Sequence, residues 1–261
     1  MDVVAVDWSG ALQRAATRIW LAHVVEGELV TLRNGRTRRQ VTDDLAALRA
    51  RSPDGLVVGL DFSFSLPAWF VRSEGCTTVD DLWRRVEENG EGWLSGCAPP
   101  FWGRPGRPRP ALAEPYRRAE LAISVGGIRP KSSFQIGGTG AVGTGSIRGM
   151  PHLRHLRAAG FGIWPFDPPS RWTALEIYPR LLTGPVRKSD PVRRREYLEA
   201  APWSVAPEFA AAIIGSDDAF DAAISALVMH HHRHDLATLR PSTDPLTLLE
   251  GDVWRPPKIG A

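Results

Sequence analysis

The amino-acid sequence predicts an α/β protein with a mixed β-sheet flanked by helices. Two runs, residues 3–6 and 56–60, are wholly apolar, which is typical of strands buried on both faces. A predicted hairpin and a predicted helix lie between these runs. Such a connection allows the two runs to pair in parallel, so we expect them to be neighbouring inner strands of one sheet.

The first half of the chain supplies the elements around this pair. Residues 17–25 and 28–32 are strand-like and flank a tight Glu26-Gly27 turn, which predicts a hairpin. Thr42 then precedes two aspartates and an apolar repeat, so we expect a short helix over residues 42–48. A Pro-Asp-Gly sequence ends this helix before the second apolar run.

Residues 62–150 lack a regular pattern, and we expect them to form an irregular and helical insertion within a single domain spanning residues 1–261. Helices are predicted over residues 79–88 and 115–123. The segment 99–110 between them is too rich in proline and glycine for a helix or an inner strand. Its arginines and aromatic residues could clasp a phosphodiester strand, or the segment could be an ordered surface loop without a ligand.

Regular elements resume after this insertion. The pattern predicts a helix over 152–159, a short strand over 163–166 and a longer strand over 172–179. A basic helix is expected over 187–200, and its Arg193-Arg194-Arg195 triplet is typical of a solvated face. The last predicted helix follows Ser216, which is a favourable N-cap residue.

Composition places the chain among ordinary globular proteins. Its 261 residues are 43% hydrophobic and 23% charged, and no apolar run is long enough to span a bilayer. The first residues lack the layout of a signal peptide, and Cys76 and Cys97 have no metal-ligand spacing, so we expect a cytoplasmic protein with reduced thiols and no membrane partner. A formal net charge of +3 permits nucleic-acid binding without demonstrating it.

Two short motifs match known functional patterns only in part. Gly138 to Gly143 matches a dinucleotide-binding pattern, but no βαβ unit surrounds it, so a glycine-rich loop that offers backbone N–H groups to a phosphate is the better interpretation. His230 and His234 have the spacing of a helical metal pair, but no third ligand is evident.

Acidic residues recur where the predicted core elements end. Asp7 and Asp61 directly follow the two apolar runs, and Glu176 interrupts a later strand-like run. Asp218 suits the first turn of the last helix, whereas Asp221 borders its apolar stripe and has no such structural reason. Because ligands gather at the carboxyl ends of parallel strands, which lie about 4.8 Å apart, these carboxylates can converge.

Converging carboxylates repel one another unless a cation lies among them. An all-oxygen site favours a hard cation such as Mg²⁺ or Mn²⁺. Two such ions about 3.5–4 Å apart are a general device for in-line attack at phosphorus. The acids therefore predict a site for divalent-metal-dependent phosphodiester hydrolysis.

The order of elements and acids resembles the ribonuclease H-like superfamily, and Asp218-x-x-Asp221 looks like its Holliday-junction resolvase branch. More narrowly, the chain resembles domain-of-unknown-function family 429, whose members are described as predicted nucleases of that fold. The blocks that carry the resemblance are Val6-Asp7-Trp8-Ser9-Gly10, Gly59-Leu60-Asp61-Phe62-Ser63, Lys131-Ser132-Ser133-Phe134-Gln135, Trp164-Pro165-Phe166-Asp167, Glu176-Ile177-Tyr178-Pro179 and Asp217-Asp218-Ala219-Phe220-Asp221-Ala222.

The resemblance implies a five-stranded mixed sheet with a large insertion between the fourth and fifth strands. It also implies that catalysis and metal binding fall to the acidic residues, with either or both of the last two serving as ligands: Asp7, Asp61, Glu176, Asp218 and Asp221. Substrate contacts or site organisation would fall to a second set: Ser9, Arg117, Arg118, Glu120, Lys131 and Gln135. The implied cofactor is Mg²⁺ or Mn²⁺, and the implied partner is nucleic acid.

Two alternatives to a nuclease remain open. Phosphotransferases of the actin-like and sugar-kinase group share the superfamily core and also begin with a strand that ends in aspartate, but they repeat that core and this chain shows no second copy. A non-catalytic nucleic-acid-binding module could keep the core for packing alone. The sequence does not separate DNA, RNA and nucleotide substrates.

Overall fold

The centre of the fold is one mixed β-sheet. The structure is a computed structural model that describes residues 1–168 and 170–257, and its strand order is β3-β2-β1-β4-β6-β5. The sheet therefore has six strands in the described residues, not the five that the resemblance implies, because a two-residue strand adds an edge. The strands are β1 (Asp2–Asp7), β2 (Trp20–Val25), β3 (Glu28–Arg33), β4 (Leu56–Leu60), β5 (Gly162–Ile163) and β6 (Trp172–Glu176).

The strand pairing confirms the predicted arrangement of the first half. β2 and β3 form an antiparallel hairpin, and β2 pairs antiparallel with β1. β1 and β4 are parallel neighbours, with Val6 opposite Leu60. β6 then pairs parallel with β4, so that Leu60 lies opposite Glu176. The carboxyl ends of three neighbouring parallel strands consequently meet at one edge of the sheet.

Helices cover both faces of the sheet, as expected for an α/β protein. No helix in the described ranges is both long and apolar enough to cross a membrane. The helices are α1 (Ala15–Arg18), α2 (Arg38–Arg51), α3 (Ala68–Ser73), α4 (Val79–Gly96), α5 (Arg118–Leu121), α6 (Gly143–Ala158), α7 (Pro179–Thr183), α8 (Pro191–Ala200), α9 (Pro207–Gly215), α10 (Asp217–His231), α11 (Arg233–Ala237) and α12 (Thr247–Glu250).

Each face of the sheet has its own hydrophobic core, because successive side chains of a strand point to opposite faces. Val4 and Val6 join one core together with apolar residues of α2, α4 and α6. Val3 and Ala5 join the other core, which α10 supplies with residues such as Phe220. The alternation along β1 therefore decides which helices each side chain meets.

Several predicted helix boundaries were wrong. The helix predicted from Thr42 begins at Arg38, because Thr37 and Gln40 form a capping box there. The helix predicted over 115–123 contains only the four residues of α5. The helix predicted from 152 begins at Gly143, so the end of the glycine-rich segment is helical. Close packing explains the glycines of α6, since a Cβ on Gly149 would lie 2.6 Å from the Phe62 ring.

Candidate active site

Three buried or partly buried aspartates meet at the carboxyl edge of the sheet. Asp7 is the last residue of β1, and Asp61 directly follows β4. The Asp61 backbone N–H donates to the Val6 carbonyl at 3.1 Å, which holds the two strand ends level. Asp221 approaches from α10, where only 1% of the residue is exposed. Ser216 caps this helix by accepting a hydrogen bond from the Ala219 N–H, as predicted.

These three carboxyls have raised pKa values, and burial is the largest cause in each case. Burial and the neighbouring Asp221, Asp61 and Asp218 raise the pKa of Asp7 well above its usual value. Burial, with the Asp221 carboxylate as the next cause, raises the pKa of Asp61 to about 7. Burial likewise raises the pKa of Asp221 to about 6, against the opposing effect of Lys188. The group therefore disfavours full ionisation at neutral pH unless positive charge is added.

One cation of the chain already lies in this group. The Lys188 ammonium contacts Asp221 Oδ2, and its side chain is 37% exposed. The other oxygen, Asp221 Oδ1, is buried and has no hydrogen-bond partner. One oxygen of the Asp221 carboxylate is thus bound to Lys188, and the other oxygen is a hydrogen-bond acceptor without a donor.

Asp7 and Asp61 border a cleft made of two adjoining cavities, whereas Asp221 is not part of the lining of either cavity. One cavity of about 350 Å³ is lined by Asp7 and Ser9, and the other, of about 450 Å³, is lined by Asp61 and Lys131. Both cavities are also lined by a common set: Trp8, Gly10, Arg18, Ala141 and Asp218. A larger cavity of about 760 Å³ lies beside Cys76 and Arg157 and includes none of the predicted acids.

Glu176 borders the same cleft but is bound to arginine. Arg117 donates to both of its carboxylate oxygens, at 2.9 and 2.6 Å, and the Phe64 N–H donates to Oε2 at 2.9 Å. Arg117 also binds Glu120, and both glutamates and the arginine are buried. This network replaces the metal-ligand role predicted for Glu176 with a buried ion pair.

The register of β6 explains the separation of Glu176 from the aspartates. Leu175 belongs to the core beneath α10, so Glu176, the next residue, points to the opposite face of the sheet. Asp7 follows the alternation of Val3 and Ala5 and points to the α10 face, where Asp221 lies. The structure therefore brings together Asp7, Asp61 and Asp221, with Asp218 lining the cleft, and holds Glu176 at the same cleft on the other face of the sheet.

The residues predicted to contact substrate have different positions. Ser9 and Lys131 line the cleft. Arg117 uses its side chain on Glu176, Glu120 and the Glu250 carbonyl, so it organises the site and is not free to bind a phosphate. Arg118 is exposed and binds Asp244 instead. Gln135 donates to the carbonyls of Gly137 and Thr139, and thereby holds the glycine-rich segment.

That glycine-rich segment does reach the cleft. Gly140, Ala141 and Val142 line the larger of its two cavities, immediately before and at the start of α6. A Cβ on Gly10 would overlap the backbone at Gly145, so the loop after β1 and the start of α6 pack main chain against main chain. Backbone groups of both segments are therefore close to the acids, as the phosphate-loop interpretation predicts.

Two cationic residues of the site were missed by the sequence reasoning. Arg18 precedes β2, and a signal for it existed, because the start of β2 pairs with the end of β1, with Asp7 opposite Trp20. Lys188 had no comparable signal. It is 33 residues from Asp221 and lies in an irregular segment before α8.

The donor set suits a hard cation, although it is not a ready-made cage. Among residues 1–168 and 170–257, no group of three or more His, Cys, Asp or Glu side chains is arranged to hold a metal ion. His230 and His234 lie on different helices, α10 and α11. Mg²⁺ needs fewer protein ligands, since it keeps several waters and binds through one or two carboxylates with substrate phosphates. Asp7 and Asp61 offer such a pair.

The fold and the site together define an α/β protein with a carboxylate-lined cleft at the carboxyl edge of its parallel strands. Comparisons with protein-family models, with curated proteins and with solved structures find no match for this chain.

Proposed function

We propose that the chain is a divalent-metal-dependent phosphodiester hydrolase of the ribonuclease H-like superfamily, within family 429, and that its substrate is a nucleic acid. One observation carries the proposal: Asp7 and Asp61 end two neighbouring parallel strands and Asp221 faces them from α10, although burial and nearby carboxylates raise the pKa of each. Such an arrangement is unfavourable for folding alone and is typical of sites that bind a cation or move protons.

The topology supports the superfamily assignment. An antiparallel hairpin joined to β1, followed by a helix and the parallel strands β4 and β6, has the order that the resemblance implies. The additional strand, β5, pairs with β6 at the edge of the sheet remote from the hairpin. It does not alter the positions of Asp7 and Asp61.

The residues of the cleft have distinct proposed roles. Asp7 and Asp61 would hold Mg²⁺ or Mn²⁺, with Asp218 and Asp221 beside them, and the bound ion would supply Lewis-acid chemistry at the scissile phosphate. Arg18 and Lys131 line the cleft and would bind the negatively charged diester. Ser9 and the start of α6 would position it.

Hydrolysis forms a bond from a water oxygen to phosphorus and breaks the bond between phosphorus and the ester oxygen, and the proton that the attacking water releases to solvent balances the proton that the ester oxygen gains. Asp61 is assigned to the ion, so the proton that its carboxyl holds up to a pKa of about 7 would leave when the ion binds. The departing ester oxygen would take a proton from water. Arg117 would hold the Glu176 side chain in place beside the aspartates.

The experiment is a cleavage assay with Mn²⁺ on single-stranded DNA, duplex DNA, RNA and a branched junction. We expect cleavage of at least one substrate, and a loss of at least about 100-fold in rate for Asp7→Asn. Asp217→Asn is the matched control, because Asp217 is an exposed acid in the first turn of α10 and should leave the rate unchanged. Full activity in the Asp7→Asn variant would contradict the proposal.

The same preparation separates the two alternatives. An ATP-dependent rise in melting temperature without cleavage of nucleic acid would favour a phosphotransferase, whose nucleotide the glycine-rich segment could contact. Salt-sensitive binding to DNA or RNA without cleavage would favour a binding module.

A further inference from the structure

Lys188 is the one basic side chain that contacts an aspartate of this site in the part of the chain that the structure describes. It lies in the irregular segment between α7 and α8, and its ammonium reaches Asp221 Oδ2 on α10. The Asp221 side chain is only 2% exposed and the Lys188 side chain is 37% exposed, so the carboxylate end of this contact is buried and the ammonium end is partly exposed. Attraction between opposite charges is much stronger in such surroundings than in water.

A second buried residue fixes the segment that carries Lys188. Arg194, in the middle of the basic triplet of α8, is 4% exposed and does not belong to a solvated face. Its guanidinium donates to the Lys188 carbonyl, and its Nε–H donates to the Ile214 carbonyl at 2.9 Å. Ile214 is two residues before the Ser216 cap of α10. Arg194 thus ties the main chain at Lys188 to the base of the helix that presents Asp221.

The position of the ammonium matters for the charge balance of the site. Burial is the largest cause that raises the pKa of Asp7, Asp61 and Asp221, and the Asp221 carboxylate adds to it at the other two, whereas Lys188 lowers the pKa of all three. The Lys188 ammonium therefore compensates part of the negative charge that a metal ion would otherwise compensate. It also blocks the Oδ2 side of Asp221 from ligating one.

We propose that Lys188 is the built-in second cation of the site. The chain then binds one divalent ion, at Asp7 and Asp61, and the Lys188 ammonium occupies the place beside Asp221 where a two-metal site would hold its other ion. This inference rests on the proposed function and sets its metal count at one, in place of the two ions that in-line attack at phosphorus commonly uses. Arg194, which donates to the Lys188 carbonyl, is the residue that positions Lys188.

The experiment counts bound Mn²⁺ ions by titration calorimetry and by the spin-resonance signal of free Mn²⁺, using the full chain. We expect one ion per chain for the wild type and two for Lys188→Met, which frees the Asp221 carboxylate. Lys188→Arg keeps the charge and should again bind one ion. Arg187→Gln is the matched control, because its exposed side chain lies in the same segment and should leave the count at one.

Asp221→Asn provides a second arm that does not depend on the folding of Lys188→Met. If the Lys188 ammonium takes the place of a second ion beside Asp221, Asp221 does not ligate the bound ion. The Asp221→Asn variant then keeps one bound ion, with an affinity within about threefold of the wild type. Loss of that ion would overturn the inference, and so would two ions in the wild type or one ion in folded Lys188→Met.

The two proposals fail in different ways. A wild type that binds two ions and cleaves a phosphodiester refutes the role of Lys188 and leaves the proposed function intact. A wild type and a Lys188→Met variant that bind no Mn²⁺ at all refute the proposed function and the inference together.

Discussion

Individual side chains at the sheet edge face a conflict between charge and burial. Asp61 is the clearest case, since desolvation and the nearby Asp221 carboxylate raise its pKa to about 7. In the unfolded chain the same carboxyl titrates near 3.8. Folding therefore binds a proton over the pH range between these two values, and the stability of the metal-free protein depends on pH there.

The expected pH dependence has a definite sign. The contribution of Asp61 to the free energy of unfolding is fully present below about pH 4 and is lost as the pH rises to and through about 7. We predict that Asp61→Asn raises the melting temperature of the metal-free protein at pH 8 and flattens its decline between pH 4 and pH 8. Thermal unfolding of both proteins in the presence of a chelator, at several pH values from 4 to 8, measures this melting temperature. Parallel profiles for variant and wild type would contradict the prediction.

The charge of Arg117 is buried like that of Asp61, but two buried glutamates compensate it. Removing one partner of a buried ion pair leaves uncompensated charge and costs about 3–5 kcal/mol. We therefore predict a loss of about 3–5 kcal/mol for Arg117→Met in urea unfolding. Arg118→Met, at the exposed neighbouring position, should leave the unfolding midpoint close to that of the wild type. Equal effects for the two variants would show that the Glu176 network does not stabilise the fold.

At the scale of elements, the site depends on how tightly α10 packs on the sheet. Gly59 lies in β4 beneath this helix, and a Cβ there would lie 2.6 Å from Met229 Sδ and 2.9 Å from Ile177 Cγ2. Both neighbours are buried, so neither can move away easily. The glycine lets α10 approach closely enough for Asp221 to reach Asp7 and Asp61.

This packing predicts opposite effects for two glycine substitutions. Gly59→Ala should lower the free energy of unfolding by about 1–3 kcal/mol, the usual range for overpacking a core. Gly92→Ala, within α4, should raise it by about 0.5–1 kcal/mol, because no atom lies within 4 Å of its Cβ position and alanine favours helix. Urea unfolding measures both. A neutral Gly59→Ala would show that α10 has room to move.

At the scale of the molecule, the proposed function would link metal binding to folding through the same carboxyls. A divalent ion that binds the folded chain stabilises it by mass action, and it must displace the protons held by Asp7 and Asp61. We predict that Mn²⁺ raises the melting temperature and that the rise is larger at pH 8 than at pH 6. Asp7→Asn should remove most of this rise, whereas Asp217→Asn should keep it. A larger rise at pH 6 would refute proton displacement.

Much of the fold was predictable because its signals are local. The apolar runs of β1 and β4, the Glu26-Gly27 turn and the Ser216 cap each depend on a few adjacent residues. The boundary errors arose where local signals compete. Thr42 and Thr37 are both acceptable N-caps, and the capping box with Gln40 favours the earlier one.

The sequence by itself determined the inner strands of the sheet and the positions of Asp7 and Asp61 at its carboxyl edge, because hydrophobic patterning and strand direction specify both. Only the tertiary structure decided which charges meet there. The register of β6 directs the Glu176 side chain to Arg117, and the fold brings Lys188 into contact with Asp221, which is 33 residues later in the sequence. The register and the packing of distant segments are collective results of the whole core, and no short stretch of sequence encodes them.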